Sequence, residues 1–207
     1  MLAAVMIGGC GEEKIFGTPD KAVQAYCELI TMGESPNLEA AGFSEDDKKN
    51  LRKMIINVFA ETFKGVVPLS DESSDELAKI FYENNKAKMT LQTKVKTEDN
   101  LQPVVELTIT PLDLSKAAGK TNDDFIALMG MVGKLKSDGA TDEQLKANPE
   151  VQKLAVVAYG KYISEIPVRE ETTFEVPCKK VDGTDGKVHW APADGKALMD
   201  FVIGDKK

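Results

Sequence analysis

One imidazole and three thiols are the first places to look for chemistry in this chain of 207 residues. His189 is the only histidine and could act as a general base. A triad would need a nucleophile and an orienting acid beside it, and the sequence has no Gly-x-Ser-x-Gly elbow. His189 alternates with Val188 and Trp190 in a strand-like pattern, so it faces solvent if those two face inward. A single histidine with Cys10, Cys27 and Cys178 is too few for most His- or Cys-rich metal sites. Asp182-Gly-Thr-Asp-Gly186 lacks the repeated Asp/Asn spacing and the closing Glu of a calcium loop, and reads as a tight turn. The acidic runs at 45–47, 71–76 and 123–124 fall at predicted helix starts, where the helix dipole favours them. No Gly-x-Gly-x-x-Gly or Walker-type loop supports nucleotide binding. Tyr26, Tyr159 and Tyr162 could line a pocket between the first helix and the sheet, although their spacing equally suits core packing with phenol groups at the rim. These residues predict no catalytic set, no metal and no cofactor.

The elements that would hold such residues follow from periodicity. Thr18-Pro19-Asp20 opens a helix that Gly33 ends, with Thr18 as its N-cap. Within it only Lys21, Gln24, Glu28 and Thr31 form a polar stripe, so the helix is buried on several sides and belongs against the sheet. Ser44 caps a long amphipathic helix to about Lys64, carrying Leu51, Met54, Ile55 and Val58. Ser73-Ser-Asp-Glu76 is a capping box for a shorter helix. Ala87 to Val95 and Val105 to Ile109 alternate as a first hairpin, about 87–110. Thr121 and Asn148-Pro149 start helices in a segment of about 112–165, with the capping box Thr141-Asp-Glu-Gln144 between them. Thr172, Phe174, Val176 and Cys178 share the inward face of a second hairpin, about 171–191, and Asp194 caps a last helix. Hairpins with helices massed against them predict an α+β fold: an antiparallel sheet of two hairpins packed on several helices.

Composition narrows the partners. A net charge of -8 and a pI near 4.9 argue against a nucleic-acid partner, which needs a basic footprint. No run of 18 apolar residues is present, so no transmembrane helix is predicted.

Met1 to Cys10 is apolar or small throughout and turns polar at Gly11-Glu-Glu-Lys14. Ile7-Gly8-Gly9-Cys10 resembles the bacterial lipobox: an aliphatic residue, two small residues, then Cys. The resemblance implies that residues 1–9 are the remnant of a signal peptide whose start lies upstream, and that the Cys10 thiol carries a diacylglyceryl group after cleavage. It also implies a lipidated tether over 10–17, a domain over 18–204, and an extracytoplasmic protein held on the cell membrane. The order of elements is similar to the cystatin-like, nuclear-transport-factor-like cone, with Thr18-Pro19-Asp20-Lys21-Ala22-Val23 at the start and Asp185-Gly186-Lys187-Val188-His189-Trp190 at the end. The helical segment 112–165 is then an insertion.

Two classes of function remain open. One is a non-enzymatic binding or interaction domain with a protein or small-molecule partner. The other is a cone-fold carrier or isomerase-like enzyme. Such enzymes place an ionisable group inside the cone, whereas the inward positions here read Met89, Leu91, Val95, Val105, Leu107, Ile109, Phe174 and Val176. Cys27 and Cys178 both point into the layer between the first helix and the sheet. They could form a disulfide outside the cytoplasm, or remain two buried thiols.

Overall fold

Helix α1 (Pro19–Met32) lies across a curled five-stranded sheet and carries the centre of the core. The structure, a computed structural model, describes residues 15–63, 67–113, 122–183 and 186–202. Pro19 occupies the first turn of α1, where its missing N–H costs nothing. Thr18 is extended but makes no side-chain cap bond. Val23, Ala25, Cys27 and Ile30 are fully buried. Thr31, assigned to the polar stripe, is buried as well. Its Oγ1 donates to the Cys27 carbonyl at 2.8 Å, and its own carbonyl accepts Asn85 Nδ2 at 2.7 Å, so both polar groups are satisfied without water.

The sheet runs β1-β5-β4-β3-β2, with β1 (Ile15–Phe16), β2 (Leu91–Thr97), β3 (Val104–Ile109), β4 (Thr172–Asp182) and β5 (Val188–Pro192). Both expected hairpins are present and antiparallel. The sheet is nevertheless mixed, because β1 adds parallel to β5 in the register Phe16↔His189. Residues 15–16, read as tether, therefore belong to the sheet. The first hairpin also starts later than residue 87: Ala87 and Lys88 close a helix, and pairing begins at Leu91.

The eleven residues of β4 serve two neighbours in turn. Thr172–Pro177 pair with β3, and Cys178–Asp182 pair with β5. Pro177 has no N–H to donate and sits at that change of partner, where a ladder bond is least missed. Its carbonyl accepts Ala193 N at 2.8 Å, and Cys178 N donates to the Pro103 carbonyl at 2.8 Å. A strand shared in this way bends the sheet around α1. Val105, Leu107, Ile109, Val176 and Cys178 are buried beneath it. Lys94, Lys96 and Glu175 face outward, and Lys96 pairs with Glu175 across the strands.

Behind α1 stand α2 (Glu45–Phe63) and α3 (Asp71–Lys88). The N-cap of α3 is Ser70, whose side chain accepts Ser73 N at 3.1 Å, so the helix begins one turn before the expected capping box. The segment 112–165 holds α4 (Asp123–Ser137), α5 (Asp142–Ala147) and α6 (Pro149–Ser164). Its helix α6 stacks on α3, with Val151, Ala155, Ala158 and Tyr159 facing inward. Asn122 caps α4, while Thr121 lies outside the described residues. The box at Thr141 and Gln144 and the cap at Asn148 form as expected. Asp194 accepts Ala197 N at 2.9 Å and starts α7 (Gly195–Val202). No described helix is long and apolar enough to cross a membrane.

Candidate functional site

Pro111 ends β3, and Pro167 lies just before the chain returns to β4. At this neck the two passing segments clasp each other. Leu112 and Val168 form an antiparallel bridge, Asp113 N donates to the Pro167 carbonyl at 2.7 Å, and Arg169 N donates to the Pro111 carbonyl at 2.7 Å. The clasp fixes two side chains that the sequence alone leaves 56 positions apart (169 less 113). Arg169 Nε stands 3.5 Å from Asp113 Oδ1, and the Asp113 side chain is only 9% exposed. A carboxylate so enclosed needs a nearby cation, and the guanidinium supplies it.

Beside this pair opens a cleft of about 850 Å³. Its apolar wall comes from β4 and α7, whose Phe174 and Phe201 rings stack at 4.5 Å with 21° between their planes. Both rings are half-buried. Glu170 and Glu171, both exposed, complete the lining next to Arg169. The volume lies within the range of small-ligand sites, and the lining joins the two aromatic rings to four charged side chains, Asp113, Arg169, Glu170 and Glu171.

None of the expected site residues that the structure describes lines this cleft. The Tyr26 hydroxyl donates to the Gly195 carbonyl at 3.1 Å, tying α1 to the start of α7. A Cβ at Gly195 would stand 2.7 Å from that hydroxyl, so the position requires glycine by contact. Burial, with Cys27 and Asp194 nearby, raises the Tyr26 pKa. Tyr159 packs against Phe125 of α4 with ring centres 6.0 Å apart and is buried, while Tyr162 is half-buried on the same helix. The structure thus places Tyr26 on α1, against the start of α7, and Tyr159 and Tyr162 together on α6.

His189 is buried, contrary to the expected solvent-facing position. Phe16 of β1 lies 6.0 Å from its ring, and the backbone of Gly42 closes over it. Because Trp190 is buried too, both faces of β5 are covered. A histidine enclosed in this way offers no open face to a substrate. Cys10 lies outside the described residues. Among the described residues no three His, Cys, Asp or Glu side chains cluster as a metal site.

Cys27 and Cys178 are buried free thiols in the structure. Burial raises both pKa values, that of Cys178 to about 12. With Cys10→Ser removing the third thiol, the unreduced protein should react with two equivalents of thiol reagent only after denaturation. Zero equivalents would reveal a bridge between them. Stability should also decline in alkali. A thiol released by unfolding ionises from about pH 9, whereas the folded one keeps its proton, so the unfolded state binds fewer protons and stability falls as pH rises from there toward about 12. Denaturant titrations between pH 7 and 11 should show this limb, and Cys27→Ala should make it shallower.

The chain belongs to the family described as Domain of unknown function (DUF5105), whose family pattern matches residues 12–199. The match covers the sheet, all of α1 to α6, and most of α7. The fold is similar to the crystal structure of ycdA, a candidate lipoprotein of Bacillus subtilis, with a TM-score of 0.59 and 17% identity. That similarity covers 90% of this chain and 55% of the other, so the chain spans about half the length of that protein. No curated protein matches the sequence.

Proposed function

We propose that this is a membrane-anchored extracytoplasmic lipoprotein whose folded domain is a non-enzymatic binding module. The observation that carries the anchoring is the position of Ile7-Gly8-Gly9-Cys10. Cys10 stands five residues before Ile15, the first residue of the sheet. A five-residue link reaches roughly 17 Å at full extension, so a lipid on Cys10 would hold the domain close to the bilayer surface. The similarity to a candidate lipoprotein supports the same reading. The cone-like curl of the sheet over α1 supports a place in the cystatin-like, nuclear-transport-factor-like superfamily.

Binding rather than catalysis is supported by two features. The sheet positions under α1 are apolar: Val105, Leu107, Ile109 and Val176. Asp113, the enclosed carboxylate among the described cleft residues, is engaged by the Arg169 guanidinium at 3.5 Å and points to no open reaction centre. The cleft itself favours a small-molecule carrier as the second reading. Cys10→Ser tests the anchoring. In the native host the variant should leave the membrane fraction or accumulate with its leader attached, while its circular dichroism and melting curve stay unchanged. A variant that remains in the membrane fraction after processing would contradict the proposal.

A further inference from the structure

The geometry points to a small organic cation with an apolar body as the ligand of the cleft between β4, α7 and the neck at 111–113 and 167–169. This inference rests on the reading of the domain as a binding module and adds the chemistry of what it binds.

Three observations carry it. The stacked Phe174 and Phe201 rings form an aromatic wall that stays partly open, where a flat or branched apolar group can lie. Aromatic faces carry negative electrostatic potential, so they also favour a cation placed against them. The carboxylates at the mouth are uncommitted: Glu170 and Glu171 are exposed and form no ion pair or hydrogen bond among the described residues. Among the described residues that line the cleft, Arg169 is the one cation, and it faces the enclosed Asp113 at 3.5 Å, so its charge is set against that anion. Two carboxylates beside an aromatic wall therefore set the sign of the site. The protein's net charge of -8 adds a long-range field of the same sign. A ligand with an anionic group would meet Glu170, Glu171 and Asp113, with Arg169 the one cation among the described lining residues.

Neither glutamate is needed for folding, because exposed side chains without partners contribute little to stability. They can be neutralised without disturbing the cleft's shape. Phe201 sits on α7 with its ring half-buried, so leucine keeps most of the packing while removing the ring.

The test uses three probes that share a benzyl group and differ in charge: benzyltrimethylammonium, benzyl alcohol and phenylacetate. Each is titrated into the ¹⁵N-labelled full chain carrying Cys10→Ser while the amides of Thr172, Phe174, Ala197 and Phe201 are followed. The expected result is saturable movement of these amides with benzyltrimethylammonium alone, with a Kd on the order of 1 mM for so few heavy atoms. Glu170→Gln with Glu171→Gln should weaken binding roughly tenfold at low salt, and Phe201→Leu about threefold. Raising the salt to 0.5 M should weaken binding in the native sequence and have little effect in the double glutamine variant. Phenylacetate or benzyl alcohol binding as tightly as the cation would overturn the ligand class and leave the cleft standing as a binding site. Cleft amides that move with none of the three would overturn the ligand class and the assignment of this cleft as the binding site together. Unchanged affinity in the double glutamine variant, with its fold intact, would equally refute the role of the glutamates.

Discussion

Val23→Asp and Ile30→Asp should each unfold the domain, while Lys21→Asp leaves its melting temperature nearly unchanged. All three positions lie on α1, where differences in helix propensity and in interaction with the helix dipole amount to about 1 kcal/mol or less each. What differs is burial: Val23 and Ile30 have no exposed surface, and Lys21 is exposed. Loss of the apolar side chain alone costs about 1.5–3 kcal/mol. The introduced carboxylate must then ionise without a partner or remain protonated in the core, which costs several kcal/mol more. The sum approaches the whole stability of a domain, typically about 5–15 kcal/mol. Thermal melts and denaturant titrations of the three variants check this. Equal costs at buried and exposed positions would mean that α1 does not lie under the sheet as described.

Gly42→Ala should destabilise the fold by roughly 2–5 kcal/mol, unusually large for so small a change near the surface of the chain's first loop. Two separate causes add. Gly42 has φ 72°, a region that an L side chain enters at a cost of about 1–2 kcal/mol. A Cβ there would also stand 2.4 Å from the His189 ring, a distance no packed structure tolerates. The second cause can be isolated. In a His189→Ala background the contact disappears and only the backbone strain remains, so the two substitutions together should cost about 1–2 kcal/mol less than the sum of each alone. Strict additivity in denaturant titrations would contradict the close approach of Gly42 to His189.

The sequence made most of the elements visible, for reasons that particular residues explain. Thr172, Phe174, Val176 and Cys178 have one side of β4 in common, and strict period two has no other common structural cause. α1 could be placed against the sheet because its apolar girth leaves no wide solvent face. Where the reading failed, local pattern and tertiary context disagreed. Ala87, Lys88 and Met89 alternate like a strand, yet the last turn of α3 takes the first two, with Lys88 Nζ donating to the Ser164 and Ile166 carbonyls. Ser70 and Ser73 are both sound cap residues, and the earlier one wins by accepting the Ser73 amide. A two-residue strand such as Ile15–Phe16 is too short to show any period, and only its pairing with β5 defines it. That same strand, with Gly42, covers His189, so the error at His189 follows from the missing strand.

The cleft was less legible still. Phe174 and Phe201 could be read as apolar, but nothing local says that their rings stack. Asp113 and Arg169 are brought together by the neck, and the one available signal was that Pro111 and Pro167 bracket a helical segment whose ends must return to the same sheet. Such a pairing is a property of topology and leaves no trace in local periodicity.

The most direct measurement of the central claim, that this domain is held on the membrane by its N-terminal cysteine, is mass spectrometry of the mature N-terminal peptide. The protein should be expressed with its complete signal in its native host and recovered from the membrane fraction. The expected product is a peptide that begins at Cys10 and carries the mass of a diacylglyceryl group on its sulfur. A mature peptide that retains residues 1–9, or one that begins at Cys10 with an unmodified thiol, would contradict it.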